Sequence, residues 1–169
     1  NITSIGYNSF YNIPNVTQAV SFPALTSVVS TSASGQHLTL SKCGFTEFHA
    51  PLLDLANIEV YQTGYGVLSF CPYLHTIEIG ELTIVPRGFA RDCVKLETVS
   101  NFSKVTLVKY MAFYNTPLMT IDLVLPVCES ILAGTANGQD GTFYNCGILS
   151  LDAPMLTTIG TGIYSIGSK

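Results

Sequence analysis

The chain has 169 residues, of which 47% are hydrophobic and only 11% are charged. Its length allows one domain with a substantial core. Soluble domains usually carry about 25% charged residues, so in this chain neutral residues must form much of the surface, namely Ser, Thr, Asn, Gly and Tyr. The net charge of −4 argues against nucleic acid and anionic membranes as partners.

No apolar run approaches the roughly 18 residues that span a bilayer, so we expect no membrane insertion within this segment. The chain begins at Asn1, carries no signal peptide, and starts and stops within a repeated unit. We therefore expect a piece of a longer protein, whose targeting signal and anchor lie outside this segment.

One position recurs six times along the chain and is occupied mostly by cysteine; we call it the ladder position. In five of the six copies the next residue is Pro or Gly, and Pro is tolerated where a strand begins. We therefore expect a strand to follow each ladder residue. The ladder residues are Ile13, Cys43, Cys71, Cys93, Thr116 and Cys146.

An apolar triplet with offsets 0, 3 and 5 follows each ladder residue. Its last two members lie two residues apart, so they should point to the same face of a strand, the interior, while the residues between them point outward. Polar residues at two of these positions, Ser21 and Asn101, break the pattern. The triplets are Val16-Ala19-Ser21, Phe45-Phe48-Ala50, Leu74-Ile77-Ile79, Leu96-Val99-Asn101, Leu118-Ile121-Leu123 and Ile148-Leu151-Ala153.

A corner and a second apolar pair complete each copy, as in Gly80 followed by Leu82 and Val85. The distance from this pair to the next ladder residue is either eight or fifteen residues. Three copies therefore carry an insertion at the same place, in loops around 30–37, 57–66 and 133–142. These insertions are rich in Gly, Ser, Thr and Asn, which are typical of solvated turns.

A single copy is too small to bury its own apolar face, so the copies must stack on one another. We expect strands of successive copies to lie about 4.8 Å apart in one parallel sheet. A large side chain three or four residues before the ladder position should plug each coil. These plugs are Phe10, Leu40, Leu68, Phe89, Phe113 and Phe143.

The order F-x-x-C/T-P-x-L-x-x-I-x-L followed by P-x-L-x-x-I resembles the leucine-rich repeat family in its BspA-type (Treponema-type) subclass. The best copies are Phe113–Ile131, Cys71–Val85 and Phe143–Ile159. The resemblance implies an α/β-type solenoid, a right-handed coil of mostly short parallel strands with short helical turns, forming one fragment over residues 1–169. It also implies an extracellular or cell-surface protein of host-associated bacteria or parasitic protists, used in adhesion rather than catalysis.

The five cysteines form neither a disulfide framework nor a zinc motif, because their number is odd, they are spread out, and no CxxC occurs. Cys71 and Cys93 should lie on adjacent rungs, within disulfide range. Stacked side chains point the same way, however, so we favour buried thiols that act as small apolar groups and weak donors to the loop backbone. Cys128, at a core position, should be equally inert.

Outward residues form two columns across the predicted sheet, and they supply the candidate ligand-binding residues. In the second column Glu47, His49 and Glu78 should cluster, either as a site for a cation or small hydrophilic ligand or as a cross-strand His–Glu pair, which we favour. His49 lies four rungs from Ser150, too far for a catalytic triad. The first column is Gln18, Glu47, Thr76, Thr98, Thr120 and Ser150, and the second is Val20, His49, Glu78, Ser100, Asp122 and Asp152.

Tyr61 and Tyr65 in the second insertion are further binding candidates, because aromatic residues in polar loops favour contacts with proteins and glycans. The alternative is that the tyrosines pack over their own coils with the hydroxyl group in water. The segment 137–141 has one carboxylate, too few for calcium. Asn1, Asn15 and Asn101 begin glycosylation sequons, which matter only in a eukaryotic secretory pathway.

These features predict a non-enzymatic recognition or adhesion module with no cofactor and no metal. Its expected partner is a host or neighbouring-cell surface protein or glycan, bound through the concave sheet and the inserted loops. The alternative is a structural spacer or stalk segment of a larger surface protein. An enzyme is disfavoured because no nucleophile–base pair or metal cluster with usable geometry can be assembled.

Overall fold

The computed structural model describes residues 1–28, 39–56, 58, 66–132 and 141–160. The predicted loops around 30–37, 57–66 and 133–142, with Tyr61 and Tyr65, lie largely outside these residues. The described chain forms six stacked coils, numbered by their ladder residues from Ile13 (coil 1) to Cys146 (coil 6). Each coil gives its first strand to the front of the stack, and most give a second strand to the back.

The strands that follow the ladder residues form the front sheet, and every pairing in it is parallel. Four strands are hydrogen-bonded in the order β2-β4-β5-β7, and β9 pairs separately with β11. Their bounds are β2 Val20–Ser21, β4 Glu47–Ala50, β5 Thr76–Ile79, β7 Thr98–Val99, β9 Asp122–Val124 and β11 Ser150–Asp152.

The strands that follow the corners form the back sheet, also parallel, in the order β6-β8-β10-β12 with a separate pair β1-β3. They are two residues long because each coil must turn again at once to reach its next ladder residue. Their bounds are β1 Ser4–Ile5, β3 Ser27–Val28, β6 Ile84–Val85, β8 Leu107–Val108, β10 Ser130–Ile131 and β12 Thr158–Ile159.

The core lies between the two sheets and follows the predicted alternation in coils 2 and 3. Phe48 and Ala50 of β4, and Ile77 and Ile79 of β5, are buried, whereas the residues between them reach the surface. The plugs Leu40, Leu68, Phe89, Phe113 and Phe143 are also fully buried, which confirms them. Phe10, in the first coil, is only partly buried.

The described residues contain no helix, so the short helical turns stay unconfirmed. Successive turns lead into each ladder residue instead, and the residue just before it adopts a left-handed conformation, with φ between 48° and 59°. This conformation is energetically unfavourable for L-residues, and it is least unfavourable for Asn and Asp. Asn12, Asp92, Asn115 and Asn145 occupy four of these positions, with Lys42 and Phe70 at the others.

The glycine that replaces proline after a ladder residue has a steric cause. A Cβ atom on Gly44 would lie 1.9 Å from the carbonyl oxygen of Pro14, and one on Gly147 would lie 2.3 Å from that of Pro117. In both cases the proline is at the equivalent place in the preceding coil. Glycine is therefore needed wherever the neighbouring backbone approaches this closely.

The predicted strand faces are wrong in coil 1, whereas in coil 4 the faces of β7 are as predicted and only the last triplet position is wrong. The sequence pattern was already broken at both places. Val20 pairs with Phe48 and points inward, so that Ser21 rather than Val20 lies opposite His49. In coil 4 the residue Phe102 is buried in place of Asn101. Asn101 bulges out with φ at 69° and donates its side-chain amide to the Ile79 carbonyl, 2.6 Å away.

The predicted register of coils 5 and 6 is also wrong, by two residues. Ser150 pairs with Asp122 rather than Thr120, and Leu151 pairs with Leu123. Met119 and Leu125 are fully buried in coil 5, whereas Leu118 is exposed. Apolar residues at 118, 119, 121, 123 and 125 satisfy either register in isolation, and only the fit against coil 6 selects one.

Candidate functional site

His49 lies between two carboxylates on the front face, as predicted. Its Nδ1 is 2.8 Å from Glu78 Oε2 and its Nε2 is 2.8 Å from Glu47 Oε2. Glu47 and His49 are outward residues of β4, and the pairing of His49 with Glu78 in β5 brings the third group alongside. The hydrogen bonds to Glu78 and then to Glu47 raise the pKa of His49 above its ordinary value. The imidazolium form therefore donates from both nitrogens at once.

This arrangement favours a cross-strand charge pair over a cation site. A metal ligand needs a free, unprotonated ring nitrogen, and both nitrogens of His49 contact carboxylates instead. Over the described ranges, no three or more His, Cys, Asp or Glu side chains are placed to hold a metal ion. Two carboxylates beside one imidazolium leave the cluster net negative.

The threonine positions of the first column are correctly predicted across coils 2 to 4. Glu47 is opposite Thr76, and Thr76 is opposite Thr98. Thr98 Oγ1 donates to Thr76 Oγ1 over 3.3 Å. These outward groups form one continuous row over β4, β5 and β7, the last strand of this four-stranded sheet.

The placement of Thr120 and Asp122 differs from the prediction. Thr120 is exposed but precedes β9, and Asp122 belongs to the first column, where it accepts a 2.5 Å hydrogen bond from Ser150 Oγ. Val124 takes the place opposite Asp152. Since β9 pairs only with β11 among the described strands, the front face has two parts, over coils 1 to 4 and over coils 5 and 6.

A family comparison agrees with this stacked arrangement. The model of the BspA type leucine-rich repeat region matches residues 1–131 in six copies. The chain belongs to the BspA-type leucine-rich repeat family. Domains of this family are generally surface-associated protein-interaction modules and generally non-enzymatic. Neither the comparison with curated proteins nor that with solved structures gave a match.

The BspA-type match ends at Ile131, whereas the stacking continues beyond it. Coil 6 adds β11 to β9 and β12 to β10 in parallel register. Within the described ranges, no helix is both long and apolar enough to cross a membrane.

The BspA-type ladder cysteines are free, buried thiols, and three of them hydrogen-bond to the backbone of the preceding coil. Cys43 donates to the Phe10 carbonyl over 2.8 Å, Cys71 to that of Leu40 over 3.3 Å, and Cys93 to that of Leu68 over 3.0 Å. This confirms the predicted role as donors to loop backbone. Burial raises the pKa of Cys71, Cys128 and Cys146, so these thiols are poor nucleophiles and poor metal ligands.

The tyrosines of the BspA-type coils pack across coils rather than over their own. The rings of Tyr114 and Tyr144 stack with centroids 4.9 Å apart, and the Arg91 guanidinium lies 5.2 Å from the Tyr114 centroid. Arg87 lies 4.0 Å from the ring centroid of Tyr110. The candidates Tyr61 and Tyr65, like Tyr164, lie outside the described residues.

Sequence reasoning missed a row of hydrogen-bonded Asn and Asp side chains that runs from coil to coil near these rings. Asn145 Nδ2 donates to Asn115 Oδ1 over 2.7 Å, and Asn115 Nδ2 donates to Asp92 Oδ1 over 2.8 Å. At the end of this row, Arg91 Nε forms an ion pair with Asp92 Oδ2 at 3.0 Å. The available signal was Asn or Asp directly before the ladder residue in four of the six copies. We call the row of Asp92, Asn115 and Asn145 the Asx ladder.

Proposed function

We propose that this chain is a non-enzymatic recognition module of a cell-surface protein, which binds a protein or glycan of a host or neighbouring cell. The supporting observation is the continuous outward row of polar groups on three adjacent strands: Glu47, His49, Thr76, Glu78 and Thr98. Parallel strands hold these groups at the repeat spacing of about 4.8 Å, which gives a rigid and extended polar surface. Thr120 and Asp122 belong to the second part of the front face, over coils 5 and 6, and are further candidates.

The chemistry of this surface suits binding better than turnover. Both ring nitrogens of His49 lie 2.8 Å from carboxylate oxygens, so neither is free to act as a base. The ladder thiols face the loop backbone in the interior. Hydroxyl, carboxylate and imidazolium groups at fixed spacing can instead form hydrogen bonds with a polar partner.

A spacer role is the second candidate, and one observation favours it. Several groups of the face satisfy one another, since Thr98 bonds to Thr76 and Ser150 bonds to Asp122. Polar groups that hydrogen-bond to one another are all that a stalk needs on its surface to stay soluble. It would tolerate substitutions across the front face without loss of function.

An array of cell-surface proteins and glycans, probed with the wild-type chain and a Glu47→Ala/Glu78→Ala variant, separates the two roles. We expect the wild type to bind a subset of the array and the front variant to lose that binding. Glu81→Ala/Glu129→Ala, on exposed back-sheet segments, is the matched control and should bind normally. Binding that survives the front variant but is lost in Tyr61→Ala/Tyr65→Ala would move the site to the inserted loop. No binding by any variant would favour the spacer.

A further inference from the structure

The described front strands carry several carboxylates but no Lys or Arg. Glu97, directly before β7, and Asp122 and Asp152, in β9 and β11, are exposed, and none has a Lys or Arg within ion-pair distance among the described residues. Elsewhere Arg91 pairs with Asp92, and Lys104 pairs with Glu81. Lys95, at the edge of the front face, lies 5.2 Å from the centroid of the Tyr73 ring.

Aliphatic side chains in or close to the front strands of coils 5 and 6 are also exposed. Val124 is 50% exposed, Leu118 is 48% exposed and Leu149 is 63% exposed. Val124 is opposite Asp152 in the sheet, and the Leu149 amide donates to the Ile121 carbonyl of the adjacent coil. The shifted register of coil 5 creates this mixture, because it places Val124 opposite Asp152, where the carboxylate of Asp122 was predicted. We call Val124 and Leu149, with Asp122 and Asp152, the acidic–aliphatic face of coils 5 and 6.

We propose that the acidic–aliphatic face docks a protein segment in which Lys or Arg side chains alternate with aliphatic ones. This inference rests on the proposed recognition role and names the chemistry of its partner. Covering the aliphatic groups also removes water from the carboxylates beside them, and a buried carboxylate requires a positive partner. Lys and Arg meet both demands, since their methylene stems lie on apolar surface while their charged ends reach the carboxylates.

A neutral glycan fits this face less well than a cationic protein segment. Sugars are held mainly by flat aromatic rings, and the exposed apolar groups of coils 5 and 6 on this face are branched aliphatic chains. Among the described residues, Tyr73 is the exposed ring at the front edge, and Lys95 already lies over it. Nucleic acid and anionic lipid are repelled by the same carboxylates.

Surface plasmon resonance with four immobilised probes tests the proposal: short peptides of alternating Lys-Leu, Lys-Ser and Glu-Leu, and a neutral glycan array. We expect the Lys-Leu peptide to bind at least about tenfold more tightly than the other probes. We also expect its affinity to fall as NaCl rises from about 0.05 to about 0.5 M, because surface charges are screened. Circular dichroism should show that every variant below retains the wild-type fold.

Two front variants, Val124→Ser/Leu149→Ser and Asp122→Asn/Asp152→Asn, should each weaken Lys-Leu binding by about tenfold or more. Val127→Ser/Met155→Ser is the matched aliphatic control, since these residues are 41% and 56% exposed at the corners. Glu81→Gln/Glu129→Gln is the matched charge control. Both controls should bind as the wild type does.

Lys-Leu binding that is absent, or that falls equally in the controls, would overturn the proposal. Glycan binding that is lost only in the front variants would also overturn it, while leaving the recognition role in place. If none of these probes and nothing on the wider array of cell-surface proteins binds, both the proposal and the recognition role fail.

Discussion

The side-chain amide of Asn115 donates a 2.8 Å hydrogen bond to the carboxylate of Asp92, one coil away. Both residues have a left-handed backbone, with φ at 58°. The same backbone turn thus recurs in each coil and places the two side chains in line along the solenoid. Asn145 extends the line to the next coil.

Asn115→Ala should destabilise the chain by about 1.5–3 kcal/mol, because alanine is strained in the left-handed conformation and both side-chain hydrogen bonds are lost. Asn115→Gly should cost less, since glycine adopts this backbone freely and only the hydrogen bonds are removed. Urea unfolding measures both values. Equal losses in the two variants would show that backbone strain is unimportant at this position.

Thr116 is the one hydroxyl in a ladder otherwise made of cysteine and isoleucine, and it offers a second test. Its Oγ1 lies 2.9 Å from the Phe113 carbonyl, to which it donates, and 3.2 Å from Cys146 Sγ. Thr116→Val should cost about 1–3 kcal/mol, because the buried carbonyl loses its donor. Thr116→Cys should cost less than about 1 kcal/mol, since a thiol can also donate to backbone at this position. A valine variant as stable as the wild type would rule out this hydrogen bond as a stabilising contact.

The cluster of Glu47, His49 and Glu78 predicts a specific dependence of stability on pH. The hydrogen bonds to Glu78 and Glu47 raise the pKa of His49 in the folded chain. Its stabilising effect is therefore complete below the unfolded pKa of about 6.5 and is lost as the pH rises through the folded pKa. The stability advantage of the wild type over His49→Gln should be larger at about pH 6 than at about pH 9.

Urea unfolding of both chains across this range, with an NMR titration of His49, provides the measurement. Glu78→Gln should lower the pKa of His49, because it removes the largest cause of the shift. An advantage that grows with rising pH would contradict the proposed protonation of His49.

Four single substitutions to aspartate, at Ile77, Thr98, Leu123 and Ile121, test the assignment of the strand faces. Ile77 is buried and Thr98 is exposed, on adjacent strands of the front sheet. Ile77→Asp should destabilise the chain by more than about 4 kcal/mol, because it places an unpaired charge in the core, whereas Thr98→Asp should change stability by less than about 1 kcal/mol. In coil 5 the sensitive position should be Leu123 rather than the partly buried Ile121. Thermal unfolding measures the melting temperature of each variant. Equal melting temperatures for all four variants would contradict this assignment.

The repeat, the ladder and most of the core could be read from the sequence, and so could the contact of His49 with both carboxylates. In coils 2 and 3 the apolar residues leave only one register that buries them, as Phe48 and Ala50 illustrate. Coil 5 differs because residues 118–125 contain enough apolar side chains to fill the core in two registers. The sequence therefore could not place Asp122 and Val124 in the correct columns.

The sequence by itself determined that the chain is a stack of coils, because a repeated apolar pattern that one unit cannot bury requires neighbours on either side. Only the tertiary structure decided which side chains share each column. A slip of one residue, as in coil 1, exchanges the inner and outer faces of a strand, and a slip of two residues, as in coil 5, changes the neighbours within a column. The tertiary structure also decided that the front face is divided after β7 and that Val124 reaches the surface beside Asp152. These outcomes depend on how each coil fits against the next, and no single repeat contains that information.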